Sequence, residues 1–170
     1  MDIKPLNPDQ IITLTDYPVH SAQVLKIYFK IYQQGAGGMM PPTPVISIDK
    51  VKSRIRNKRF AEFLNGHPEV EYFLLDGSHK TTAATLTHQP IQGMIFSTDG
   101  DIQEALKMVE KGDLFSLTTP STIGECVEDL RKHFWPPAGF ETILEKTDRM
   151  VQDGILPKYM IDFYSNHRGL

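Results

Sequence analysis

Cysteine is nearly missing: Cys126 is the only one in 170 residues. No intramolecular disulfide can form, and no CxxC pair or thiolate-rich zinc site can be assembled, which reads as a chain kept in a reducing compartment. Long apolar runs are missing too. Nothing approaches the roughly 18 consecutive apolar residues of a membrane span, and the opening MDIKPLNPDQ lacks the apolar stretch of a secretory signal. A cytoplasmic protein without a membrane partner is therefore expected. Excess charge is small, net −3. That disfavours a nucleic-acid partner, because such proteins hold their ligand mainly by neutralising phosphates. The six histidines, His20, His67, His79, His88, His133 and His167, show neither HxH nor HExxH spacing, so no metal site is expected from them. Repeats and low-complexity tracts are absent as well.

What remains is an ordinary globular composition, 40% hydrophobic. A chain of this length suits one compact unit that buries about two-thirds of the surface its unfolded form exposes. One stretch departs from the average. Lys50, Lys52, Arg54, Arg56, Lys58 and Arg59 lie together with no acid among them, so the rest of the chain carries −9 against the total of −3. Such a run is usually a solvated face, with a phosphate funnel or a nucleic-acid contact as the alternatives.

Periodicity and punctuation supply the elements. Val24, Leu25, Tyr28 and Tyr32 predict a helix over about 21–33, with Ser21 as N-cap. Three glycines and three prolines between Gly35 and Pro44 then make a loop, a flexible lid being the alternative to a plain surface connection. Val45, Ile46 and Ile48 read as a strand, and the basic segment as one helix with Val51, Ile55 and Phe63 inward, ended by Asn65 and Gly66. Tyr72–Leu75 is a continuous apolar run, as in a strand covered on both faces. A helix from Ser78, a turn over 88–90, a strand over 91–97 and a helix after Asp101 follow. Crossovers of this length suggest parallel pairing. The remainder reads as helical: 122–134 with capping-box spacing from Thr122 to Glu125, then 140–153 and 157–164. Leu114–Leu117 is a candidate fourth strand, and Phe134 with Trp135 a core anchor. The fold class is α/β (α+β), with residues 1–118 as the principal unit and 119–170 as a helical extension packed on it.

The most informative stretch is EYFLLDGSHKTTAA, residues 71–84. A buried strand enters an Asp-Gly turn that opens directly into a helix, so the backbone N–H groups of the first turn point outward at a positive dipole end. That arrangement favours phosphate. Gly77 permits close approach, His79 and Lys80 add donors, and Asp76 can accept a proton or hold Mg2+. An ordinary turn, with Ser78 as N-cap and Lys80 as a surface lysine, has the same spacing.

With PVISID before it and IQGMIF after it, this stretch resembles the ParB/sulfiredoxin superfamily, closely over about a third of the chain and in element order over about 100 residues. Asp76, Gly77, His79 and Lys80 fall on the DGxHR motif, with lysine in place of arginine and so without the fork that grips two oxygens. The resemblance implies that Gly77, Ser78, His79, Lys80 and Thr81 hold the phosphates of ATP or ADP, with Mg2+ as the accompanying ion. The nucleophilic cysteine of sulfiredoxin falls on Ser78, which argues against that chemistry. A branch resembling the free-serine kinases places a general base near His20, but Ser21 stands where that branch has glutamate; His20 or Asp16 is left as the substitute. The activity so implied is phosphate transfer to a small hydroxyl-bearing molecule such as an amino acid, with Asp76, His79 and His20 as catalytic residues. A nucleotide-binding module without turnover, regulatory in role, is the alternative. The partition-protein branch adds a DNA-reading domain, but Glu125, Glu128, Asp129, Glu141, Glu145, Asp148 and Asp153 make the C-terminal helices acidic.

Overall fold

The computed structural model describes residues 1–15, 19, 21–114, 120–134 and 139–167, with the side chains of residues 133 and 134 outside the description. Six strands form one mixed sheet: β1 (Asp2–Leu6), β2 (Ile11–Leu14), β3 (Thr43–Ser47), β4 (Tyr72–Leu74), β5 (Ile91–Phe96) and β6 (Phe140–Thr142), in the order β1-β5-β3-β4-β2-β6. The helices are α1 (Ala22–Gln33), α2 (Ile48–Lys52), α3 (Lys58–Gly66), α4 (Ser78–Leu86), α5 (Asp99–Glu110), α6 (Ile123–Phe134), α7 (Ile143–Gln152) and α8 (Lys158–Asn166). The class is mixed α/β, as expected. Among the described residues no helix is long and apolar enough to cross a membrane.

Strand alternation divides the core into two layers. Ile11, Val45, Tyr72, Leu74 and Ile95 face α1, α4, α7 and α8, where Leu25, Phe29, Ala84, Ile143 and Met160 meet them. Ile12, Ile46, Phe73, Met94 and Phe96 face α2, α3, α5 and α6. The run at 72–74 is thus covered on both faces, as its uninterrupted apolar character predicts.

Three expectations change. Pairing is not uniformly parallel: β3 with β5 and β2 with β4 are parallel, but β3 runs antiparallel to β4. Two helices rather than one connect β3 to β4, which adds a reversal of the chain. The basic segment is two helices, not one. Ser53 turns its hydroxyl back to the Lys50 carbonyl at 3.0 Å, and Asn57 Oδ1 caps the new helix by accepting from Phe60 N–H at 3.0 Å. Finally, residues 140–142 are a strand. Thr142 pairs with Ile12 and Phe140 with Leu14, so the region after residue 119 contributes an edge to the sheet. Of the candidate strand at Leu114–Leu117, Leu114 is buried outside any strand, and 115–117 lie outside the described residues, as do Trp135 and the side chain of Phe134.

Candidate functional site

The Asp-Gly turn lies where β4 feeds α4. Gly77 adopts φ +100° and is itself the N-cap of α4, with Ser78 the first helical residue rather than the cap expected from sequence. Gly77 has no side chain with which to cap this terminus. Thr81 N–H and Thr81 Oγ1 both donate to the Gly77 carbonyl, at 2.9 and 3.1 Å, which closes the first turn from within. Thr43 packs under Gly77: a Cβ there would meet Thr43 Cγ2 at 3.2 Å. The Thr43 hydroxyl is buried without a hydrogen-bond partner among the described residues, and buried hydroxyls ordinarily have one.

The structure brings Gly77, Ser78, His79, Lys80 and Thr81 onto one helical turn but aims their side chains differently. His79 Nε2 accepts from Ser21 N–H at 2.9 Å, joining α4 to the start of α1; in this state that nitrogen is an acceptor, not a donor to an anion. Lys80 Nζ donates to the carbonyls of Pro41 and Pro42, tying the glycine- and proline-rich loop to α4. Burial pulls its ammonium down to about 8, against the opposing pull of Asp76. Asp76 is exposed, and its Oδ1 accepts from Gly77 N–H at 2.6 Å. His20 and Asp16 lie outside the described residues.

The cation that does reach the start of α4 was not anticipated. Lys146 belongs to the buried face of α7 with Ile143, Thr147 and Met150. It is 3% exposed, and its Nζ donates to Ser78 Oγ at 3.1 Å. A signal existed, since Lys146 stands three residues after Ile143 and four before Met150, on a stripe that helical periodicity reserves for apolar side chains. Lys146 also lines a pocket of about 370 Å³, with Thr15, Ala22, Leu25, Arg149 and Leu156 among its other walls. Arg149 is held by Glu141 through two bonds of 2.6 and 3.0 Å and by the Thr15 carbonyl at 3.2 Å; the hydrogen bonding and charge of Glu141 raise its pKa further. Two cations therefore border a half-open cavity, beginning one hydrogen bond from the helix terminus.

Cys126 is on the far side of the sheet, on α6, where burial first, and then the neighbouring carboxylates, push its thiol up to about 11. It cannot serve the turn. Among the described residues no cluster of three His, Cys, Asp or Glu side chains is arranged to hold a metal. No family model, curated protein or solved structure matches this chain.

Proposed function

We propose that this protein binds the phosphate groups of ATP or ADP at the first turn of α4. One observation carries the reading: a helix N-terminus whose N-cap residue, Gly77 at φ +100°, brings no side chain of its own has the buried Lys146 ammonium 3.1 Å from its first side-chain oxygen. Helix-terminal N–H groups and a buried cation together favour a polyanion over water. The donor set fits a phosphate, because Gly77 presents no side chain and the Thr43 hydroxyl beneath it has no partner among the described residues. Mg2+ usually keeps several waters and takes only one or two protein carboxylates beside phosphate oxygens; Asp76 is the carboxylate of this turn.

A second reading, phosphate transfer to a small hydroxyl-bearing molecule, rests on the adjoining 370 Å³ pocket, which falls within the size range of small-ligand sites. A bound nucleotide would supply the transferable phosphoryl group. The chain's own part would be orientation by the α4 terminus, charge balance by Lys146, and proton acceptance by Asp76.

Calorimetric titration with ATP, ADP and CTP in the presence of Mg2+ tests the binding reading. Saturable binding in the wild type, weakened at least tenfold in Lys146→Met with its circular dichroism unchanged, is the expected result. Equal affinity in that variant, or no heat with any nucleotide, overturns it. The transfer reading further requires product formation that Asp76→Ala abolishes while nucleotide binding persists.

A further inference from the structure

The basic segment takes no part in the site above, and it lies in the other layer, across the sheet from Gly77. Its break into α2 and α3 creates a feature that a single helix would lack. A pocket of about 270 Å³ opens between the end of α2 and α3, with Ile55, Phe60 and Leu64 among its apolar residues and Lys52 and Arg56 beside them. Ile55 is 6% and Phe60 2% exposed, so the apolar floor is recessed. Lys52 and Arg56 on its rim are both exposed, as are Arg54, Lys58 and Arg59 elsewhere in the segment. Lys58 pairs loosely with Glu62 at 3.6 Å, and Arg54 bonds to the Lys50 carbonyl and Ser53 Oγ. Lys52, Arg56 and Arg59 meet no carboxylate among the described residues.

We propose that this face docks a short acidic peptide segment, which seats one apolar side chain in the pocket while its carboxylates meet Lys52 and Arg56. Charge complementarity selects the occupant. The segment carries +6 and the rest of the chain −9, so a long polyanion would run off the patch onto repelling surface. A short one stays within it, and at physiological salt the remaining charges are screened beyond about 8 Å. Single-stranded nucleic acid needs exposed aromatic faces for stacking, and Phe60 offers none. A membrane surface needs apolar side chains that protrude into the acyl boundary, whereas these are sunk. The cavity lies just below the usual volume of small-molecule sites, and a recessed floor with Lys52 and Arg56 on its rim matches an apolar anchor flanked by acids.

The test uses fluorescence anisotropy with a fluorescein-labelled seven-residue peptide, a leucine at its centre and three glutamates on each side. Comparison probes replace the leucine by alanine or the glutamates by glutamine; a labelled oligothymidine and phosphatidylserine vesicles serve as the competing classes. Saturable binding of the leucine peptide is expected, about tenfold tighter than the alanine version and lost with the glutamine version. Lys52→Glu with Arg56→Glu should abolish it. Ala61→Trp, at an exposed position on the pocket wall, should remove the leucine advantage while leaving the alanine peptide unaffected. Equal binding of the leucine and alanine peptides, indifference to Ala61→Trp, or tighter binding of the oligonucleotide or the vesicles overturns the proposal.

Discussion

Ser78 Oγ accepts a hydrogen bond from Lys146 Nζ at 3.1 Å across 68 positions of the chain. Both side chains are almost excluded from water, at 6% and 3% exposure, and the bond joins the first residue of α4 to the middle of α7. A buried hydrogen bond to a charged group contributes about 1.5–3 kcal/mol. Ser78→Ala should therefore lower the unfolding free energy obtained from urea denaturation by that amount, with the circular dichroism spectrum preserved. A variant as stable as the wild type would show that the contact contributes nothing.

Gly77 is constrained twice. At φ +100° an L side chain is strained, by about 1–2 kcal/mol, and a Cβ would press on Thr43 Cγ2 at 3.2 Å. Gly77→Ala is expected to destabilise by at least the backbone cost. Adding Thr43→Ser, which deletes the crowding methyl, should recover the contact but not the backbone part. Full recovery in the double variant would mean that the backbone at this turn relaxes freely.

The parts of this fold that were legible from sequence are those whose cause is local. Ser21 caps α1 by accepting from Val24 N–H at 3.2 Å, and the residues behind it repeat at helical spacing. Tyr72–Leu74 has no polar face because both of its faces are covered. The edge strands carry no such mark. Four of the five residues of β1 are exposed, and β6 is three residues long and exists through pairing with Ile12–Leu14. The uniform charge of 50–59 concealed a break set by Ser53 and Asn57. At the candidate site the Asp-Gly turn was readable, but the aim of its side chains was not. Lys80 is decided by Pro41 and Pro42, His79 by Ser21, and the cation at the helix terminus by α7, all distant in sequence.

His67 links the end of α3 to the start of α7. Its Nδ1 lies 2.9 Å from the Phe63 carbonyl and its Nε2 2.9 Å from Glu145 Oε1, so the protonated ring can donate to both acceptors and the neutral ring to only one. Burial pulls its pKa down, but the bond to Phe63 and the bond and charge of Glu145 outweigh it, and the net shift is upward from 6.5. Glu145 is opposed by burial, yet the Thr142 N–H, with His67, brings it below 4.5. A raised histidine stabilises fully below its unfolded pKa and loses that contribution as pH rises through the folded value; a depressed carboxylate loses its own as pH falls. The pair should therefore contribute most between about pH 4.5 and 6.5. The gap in melting temperature between wild type and His67→Gln should be widest near pH 5.5 and narrow by about pH 8. A gap that widens toward pH 8 contradicts this sign.

Lys80 has the opposite linkage. Its ammonium is buried against two neutral carbonyls, Pro41 and Pro42, with the exposed Asp76 as its attractive charge, and its pKa falls from 10.5 to about 8. Between those values the unfolded chain holds a proton that the folded chain has released, so stability must rise with pH across the interval. The neutral amine still has two hydrogens for the two carbonyls, so the loop at 41–42 need not detach when the proton leaves. Urea midpoints of the wild type and Lys80→Met, compared at about pH 7.5 and pH 10, should diverge in favour of the wild type at the higher pH. Taking the difference against a variant without the amine cancels the tyrosines and other lysines that titrate in the same range. If instead the two curves run parallel, Lys80 keeps its ordinary pKa in the folded protein, and the loop contact is made by a well-solvated ammonium at the surface.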